Sequence, residues 1–450
     1  MFDGNRVTAH TRSRYPIFQS PMTWIARAPL VSAVSAAGAM GLLENSIRDL
    51  TVTKREFTTI RANTNQPFGV SLPIRYLQMD PAEEKAIIDW LLGQGIHFVT
   101  TSAGDPTRYT KMLKAAGVTV YHATATLRGA QKAVDAGVDG LIVEGAESAG
   151  IRNPEEVHTF ALLQAVREAV DVPIVAAGGI VDGRGMAAAF ALGAEGVTMG
   201  TRFVASFESP VHLNYKQAIV AAPITGTSLV DNPPRARSRG LRTPYAVEVA
   251  EGKRERLARN ATLDMLYVNG DVDNTHGAAG ESAGIRNPEE VHTFALLQAV
   301  REVVDVPIVA AGGIVDGRGM AAAFALGAEG VTMGTRFVAS FESPVHVNYK
   351  NAIVAAPLTG TIMTDNPPRA RSRGLRTPYS VEVSEGKRER LPRGGLIDML
   401  YVQGDVDNTS GAAGESAGLI HELKSVHQIV DETIAGFWRE IDRLARLRPI

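Results

Sequence analysis

Ile174-Val175-Ala176-Ala177-Gly178-Gly179-Ile180 and, one βα unit later, Val197-Thr198-Met199-Gly200-Thr201-Arg202 are the stretches whose reading decides the fold. Each is a short apolar run that ends in glycine and hands over to a helical stretch. Apolar runs without alternation are strands buried on both faces, the signature of a parallel sheet covered by helices. Reading outward, such runs recur at Pro16–Gln19, Met40–Glu44, Phe68–Leu72, His97–Ser102, Val118–His122, Gly140–Val143, Pro173–Ala176 and Gly196–Met199. Helical stretches at Pro81–Gly93, Leu127–Gly137, Glu155–Val170 and Gly183–Gly193 separate several of them. Eight βα units predict an α/β fold of the TIM type, a closed (β/α)8 barrel, with an open doubly wound sheet as the alternative.

A long repeat complicates that count. The run from Glu147 to Gly280 recurs from Glu281 to Gly414, an offset of 134 residues at which 118 positions are identical. ESAG then begins a third time at Glu415. Removing one copy from the 450-residue chain leaves 316 residues, an ordinary size for one barrel. The repeat opens after the sixth strand and carries only the seventh and eighth. The chain therefore encodes ten barrel strands where a barrel takes eight. Contiguity predicts a barrel closed with copy one over residues 1–280, a duplicated half-barrel segment over 281–414, and a C-terminal amphipathic helix within 415–450. In that tail Leu419, Leu423, Val426, Val430, Ile434, Phe437, Ile441 and Leu444 recur at steps of three and four. The surplus strands must dock on this chain, swap into a second chain to give a homodimer, or stay poorly folded.

Composition narrows the function. Net charge of −2 offers no electrostatic case for nucleic acid or an anionic membrane. Zero cysteines exclude disulfides, thiolate metal sites and a cysteine nucleophile, and fit a cytoplasmic protein. The first residues lack a signal-peptide core, and no apolar run is long enough to span a membrane.

The glycines at the ends of strands seven and eight carry the chemistry. Barrel active sites lie at that face, and the loops after these two strands commonly hold phosphate. Glycine lets the backbone approach closely, and the next helix start offers unpaired N–H groups. Gly178, Gly179, Met199, Gly200 and Thr201 are the candidate phosphate end. Copy two repeats it at Gly312, Gly313, Gly334 and Thr335.

AAGGI, DGRGMAAAFALGAEGV and MGTRF together are very similar to the nitronate monooxygenase family, also called 2-nitropropane dioxygenase-like. The flavin-dependent enoyl-acyl-carrier-protein reductases share these motifs. Tyr15-Pro16-Ile17-Phe18-Gln19-Ser20-Pro21-Met22, Pro67-Phe68-Gly69-Val70 and Glu144-Gly145-Ala146-Glu147-Ser148 support the resemblance. Gly270-Asp271-Val272-Asp273, its copy from Gly404, and Ala417-Gly418-Leu419-Ile420 resemble the reductase branch. The resemblance implies a barrel binding FMN, with Pro21, Met22, Ser71 and Glu144 near the ring. It also implies a small-molecule substrate and, in the reductase reading, NAD(P)H and an acyl-thioester.

Two departures matter. Isoleucine stands at Ile151, where the family often has a histidine acting as acid or base. Ala123 stands where some relatives have lysine. The remaining proton-transfer candidates are His122, at the end of strand five, and Glu147, after strand six. Against them stand a backbone-bonded histidine and a glutamate that ties down loop N–H groups. His158 and His292 read as solvated or packing residues within a helix, and His97 as structural. Asp182-Gly183-Arg184 reads as a helix cap with a surface arginine. Pro234–Arg239, rich in arginine, reads either as a solvated loop or as a contact for a phosphorylated partner such as coenzyme A, an acyl carrier or NAD(P)H. The expected function is an FMN-dependent oxidoreductase acting on a nitronate-like or other carbon acid. The alternatives are an NAD(P)H-dependent enoyl-thioester reductase and a non-catalytic barrel disrupted by its duplication.

Overall fold

The computed structural model describes all residues except 1, 3, 152–156, 233–234, 258, 276, 278–291, 367–368, 392–394, 396–397 and 448–450. Eight parallel strands make the main sheet: β1 (Ile17–Gln19), β2 (Gly41–Glu44), β3 (Phe68–Pro73), β4 (Phe98–Ser102), β5 (Thr119–Thr124), β6 (Gly140–Glu144), β7 (Ile174–Ala177) and β8 (Gly196–Met199). They neighbour one another in chain order, β2 through β8, and β8 pairs with β1 in the register Ile17↔Val197. The ring closes where Phe18 bridges Met40, with the Met40 N–H donating to Ile17 O at 2.8 Å and the Gln19 N–H to Met40 O at 3.1 Å. This is the TIM-type barrel, and its last two strands come from copy one.

Period-two alternation splits each strand between two cores. Val99, Val120, Leu141, Val143, Ile174, Ala176 and Val197 face the surrounding helices. Phe18, Met40, Leu42, Phe98, Tyr121, Ile142 and Val175 fill the interior. Phe18, Phe98 and Tyr121 meet with ring centroids 5.1–6.3 Å apart. Gly140 makes room for them, since a β-carbon there would sit 2.3 Å from Tyr121 Cζ. The lower barrel is thus plugged by aromatic rings.

The outer helices start on side-chain caps. Asp49 caps Leu50–Asn63, Asp80 caps Pro81–Gly93 and Thr126 caps Leu127–Asp135. Asp182 accepts from the Arg184 and Gly185 N–H groups and caps Gly183–Ala191, as its sequence predicts.

Copy two folds to the same local elements in a different setting. Among the described residues, Val309–Ala311 and Gly330–Thr332 pair only with each other, as a separate two-stranded parallel sheet. Val175 is fully buried in the barrel, whereas its counterpart Val309 is 61% exposed. The segment docks instead through its helices, Thr293–Val303 and Gly317–Ala325, against copy one and against the C-terminal helix. That last helix spans Val426–Ala445, with Ser425 and Gln428 forming a capping box. It starts later than its apolar periodicity suggests: Glu415–Leu419 is a short 3-10 turn, so Leu419 and Leu423 lie outside the helix. Among the described residues no helix is long and apolar enough to cross a membrane.

Candidate active site at the barrel mouth

Above the aromatic plug the interior changes character. Alternation along the strands brings Ser71, Thr100, Ala123, Glu144, Ala177 and Thr198 to the inner face at the C-terminal ends. Phe98, Tyr121, Ile142 and Val175 lie two residues earlier on that same face. Ser20 joins them just past β1, its hydroxyl 2.8 Å from Thr198 Oγ1. Ser71 and Thr100 are register partners and both are buried. Thr100 Oγ1 has no hydrogen-bond partner among the described residues. A ring of small, partly polar side chains over a filled floor leaves space for a flat group with polar edges.

The loops after the strands build the rim. Glu44, buried at the end of β2, accepts from the Trp24 N–H at 2.9 Å and the Ser46 N–H at 2.8 Å, with Arg27 Nε at 3.7 Å. These bonds fix the loop carrying Pro21 and Met22. Asn45 Nδ2 donates to Ser71 O at 3.3 Å. Trp24 stacks on Tyr267 at 5.5 Å, joining the Met22 loop to the Asp264–Val268 turn of copy one. Composition alone gave no signal for Glu44, Asn45, Trp24 or Tyr267; the position of Glu44 at a strand end was the available hint.

The glycine end is tightly drawn. Gly178 and Gly179 have φ of +109° and +72°, where an L side chain is strained. A β-carbon on Gly178 would lie 2.7 Å from Thr159 Oγ1. Met22 packs beside Gly200 at the mouth: a β-carbon at Gly200 would sit 3.7 Å from Met22 Sδ. Thr201 is buried at the start of the short helix Thr201–Val204.

The two proton-transfer candidates lie differently from one another. His122 follows Tyr121 and precedes Ala123, both on the interior side, so it faces the helix layer. Its Nδ1 is 2.8 Å from Thr101 Oγ1. Burial pushes it down from 6.5 to about 4, with Asp105 opposing and Lys132 adding, so it is neutral at pH 7. Ala123, not His122, is the β5 residue turned toward the mouth. Glu147 is fully buried; its Oε2 accepts from the Thr159 N–H at 2.8 Å and Thr159 Oγ1 at 2.6 Å. Glu147 therefore anchors the start of helix Thr159–Ala169 under the Gly178 turn.

The arginine-rich stretch is a β-hairpin, Thr227–Asn232 with Arg235–Leu241. It is laid on the two-residue strand Gly150–Ile151 in the register Arg239↔Gly150, Ser238↔Ile151. Arg239 is fully buried and donates to Thr227 Oγ1 at 3.2 Å, so this part of the stretch is not a solvated loop. Pro234 lies outside the described residues. In copy two, Gly312, Gly313, Gly334 and Thr335 lie at the ends of the separate two-stranded sheet. Gly313 packs against Phe160, and Thr335 Oγ1 accepts from the Gly414 N–H at 3.0 Å. They share no mouth with Ser71 or Met22. His97 Nε2 lies 3.0 Å from Thr11 O at the opposite end of the barrel.

The sequence profile of the nitronate monooxygenase family matches residues 5–283 and again 247–436. The chain belongs to the nitronate monooxygenase family. The two matches are the sequence counterpart of one barrel plus a second C-terminal half. Members of this family are flavin-dependent oxidoreductases. Among its relatives is a protein of Rhodococcus jostii named (3aS,4S,5R,7aS)-5-hydroxy-7a-methyl-1-oxo-octahydro-1H-indene-4-carboxyl-CoA dehydrogenase. It is 35% identical over 216 residues, 48% of this chain and 59% of that one, so the chain spans about three-fifths of that relative's length. A nitronate monooxygenase of Paraburkholderia phytofirmans is 27% identical over 313 residues, covering 60% of this chain and 83% of the relative. The structure of FabK from Thermotoga maritima aligns with a TM-score of 0.52 and 26% identity, over 99% of each chain.

The residues present fit a flavin. The mouth offers small inward side chains above an aromatic floor, glycine backbone at Gly178–Gly179 and Gly200, and a buried Thr100 hydroxyl without a partner among the described residues.

Proposed function

We propose that the mouth binds FMN and that the enzyme oxidises a small carbon acid of the nitronate type. The observation that carries this reading is the ring of Ser20, Ser71, Thr100, Ala123, Ala177 and Thr198 above the Phe18–Phe98–Tyr121 plug. Gly178, Gly179, Met199, Gly200 and Thr201 would hold the phosphate end, and Pro21, Met22, Ser71 and Glu144 the ring end. The bound flavin supplies the acceptor for the substrate's electrons.

The chain's own contribution is positioning and exclusion of water rather than proton abstraction. Ile151 and Ala123 cannot move a proton, His122 faces the helices, and one oxygen of Glu147 is engaged at Thr159. Glu147 Oε1 lacks a partner among the described residues and lies behind the Gly178 turn, whereas the Glu144 side chain is on the inner face itself. A nitronate is already the anion of its carbon acid and needs no base before giving up electrons, which suits a mouth with alanine at Ala123 and isoleucine at Ile151.

A second reading has its own support. The Rhodococcus relative is named for a carboxyl-CoA compound, the Gly270–Asp273 motif resembles the reductase branch, and an arginine-rich hairpin pairs with Gly150–Ile151, the short strand that follows β6. On that reading the substrate is an acyl-thioester and the electron donor NAD(P)H.

Anaerobic reduction of the flavin-loaded protein separates the two. Bleaching of the visible band by a nitronate, with NAD(P)H inert, supports the first. Rapid bleaching by NAD(P)H and reoxidation by an enoyl-thioester supports the second. Protein that is folded but takes up no flavin overturns both.

A further inference from the structure

Copy one and copy two meet through the same surface, used twice. Phe160 packs on Gly313, and its counterpart Phe294 packs on Gly179: β-carbons at those glycines would sit 3.2 and 3.4 Å from the respective Cδ1 atoms. Gln164 Nε2 donates to Gly313 O at 3.4 Å, and Gln298 Nε2 to Gly179 O at 3.3 Å. Arg184 pairs with Glu302 at 2.6 Å, and Arg318 pairs with Glu168. The two GRGMAAAFA helices, Gly183–Ala191 and Gly317–Ala325, pack on one another. His158 stacks on His292 at the centre. Each of these contacts is matched by its counterpart in the other copy, which is the pattern of a two-fold, isologous interface.

The two faces can match because they are nearly the same sequence. From His158 to Ala191 the only difference from copy two is Ala169, which is Val303 there. The face is also built like a subunit contact: Phe160 and Phe294 are buried, Gln164 and Gln298 are buried, and the ion pairs lie at the edge.

We propose that this face of the barrel is a self-association surface whose partner is a second copy of the same face, and that copy two occupies it in cis. The intact chain is then monomeric through this face. A copy-one face freed of copy two pairs with the same face of another chain, with Arg184 opposite Glu168 of the second chain twice over.

The test uses the full-length chain. Phe294→Glu puts a carboxylate into the buried slot at Gly179 and releases copy two while leaving every copy-one residue intact. By sedimentation at micromolar concentration the unaltered chain is expected to be a monomer and the F294E chain a dimer. Adding R184E sets two like-charge pairs across the dimer and weakens it about tenfold; adding E168R as well restores it. An F294E chain that stays monomeric, or a dimer indifferent to R184E, overturns the proposal. If F294E aggregates, the cysteine-free chain allows a second measurement. With His158→Cys and His292→Cys and a short thiol cross-linker, a cross-linked monomer supports docking in cis, and a covalent dimer refutes it.

Discussion

His158 and His292, the same position in the two copies, stack with ring centroids 3.3 Å apart and planes 29° apart. Glu415, the first residue of the third ESAG, closes on this pair, its carboxylate 2.7 Å from His158 Nδ1 and 3.2 Å from Arg373. By sequence alone both histidines read as packing or solvated residues within a helix. The structure places each at the N-cap of its helix, and His158 is buried against the Glu415 carboxylate of the tail.

Burial by itself would raise the Glu415 carboxyl. The charge and hydrogen bonds of His158, with Arg373, outweigh it and hold the group at about 2, below its ordinary 4.5. A depressed folded-state value means stabilisation that is present above pH 4.5 and lost as pH falls toward 2. Glu415→Gln is expected to cost about 1–3 kcal/mol at pH 7, with the difference from the unaltered chain shrinking through that acid window. Thermal melting of both proteins across pH 2–7 checks it; a pH-independent difference would refute the ion pair.

His122 offers a second titration in a separate range. Its folded-state value of about 4 lies below the unfolded 6.5, so the unfolded chain binds the proton first. Stability therefore declines as pH falls from about 6.5 to 4 and is flat below. His122→Gln should flatten that slope and change turnover less than twofold, because the side chain faces the helices. A turnover loss of a hundredfold at constant stability would instead make His122 catalytic.

Gly178 and Gly312 are the same residue in the two copies, and both have positive φ. Gly178→Ala strains the backbone by about 1–3 kcal/mol and pushes a methyl into Thr159 at the mouth. Flavin bound per chain should fall sharply. Gly312→Ala should leave flavin content at about one per chain, since its turn lies on the separate two-stranded sheet. Visible absorbance against protein concentration reads both.

Gly183 and Gly317 form another matched pair. A β-carbon at Gly317 would sit 2.1 Å from Phe437 N, in the crossing with the C-terminal helix, whereas one at Gly183 meets nothing within 4 Å. Gly317→Ala should loosen the Val426–Ala445 helix and lower the urea midpoint, at a cost of about 1–3 kcal/mol. Gly183→Ala should be neutral or slightly stabilising. Equal effects would mean the C-terminal helix does not sit on copy two.

Much of the barrel was legible locally. Apolar runs without alternation located all eight strands to within two residues. Asp182 was read correctly as a cap, because a cap needs only its own next turn. The glycines after β7 announced themselves because a positive φ is written in residue type. The side on which His122 falls depended on the pleat phase of β5, which Tyr121 and Ala123 fix only once the barrel has an inside. The buried hairpin around Arg239 was missed because its partner strand, Gly150–Ile151, lies some 90 residues away in the chain.

The sequence by itself determined the local elements, the family and the fact that half a barrel is encoded twice. Two segments with 118 identical positions carry the same propensities and the same motifs, so nothing local could rank them. Only the tertiary structure decided their fates. A barrel has room for eight strands, and the first copy to follow β6 takes the last two places. The second copy keeps its helices and turns but finds no strand to pair with beyond its own. It buries its apolar helix faces where an identical face awaits them.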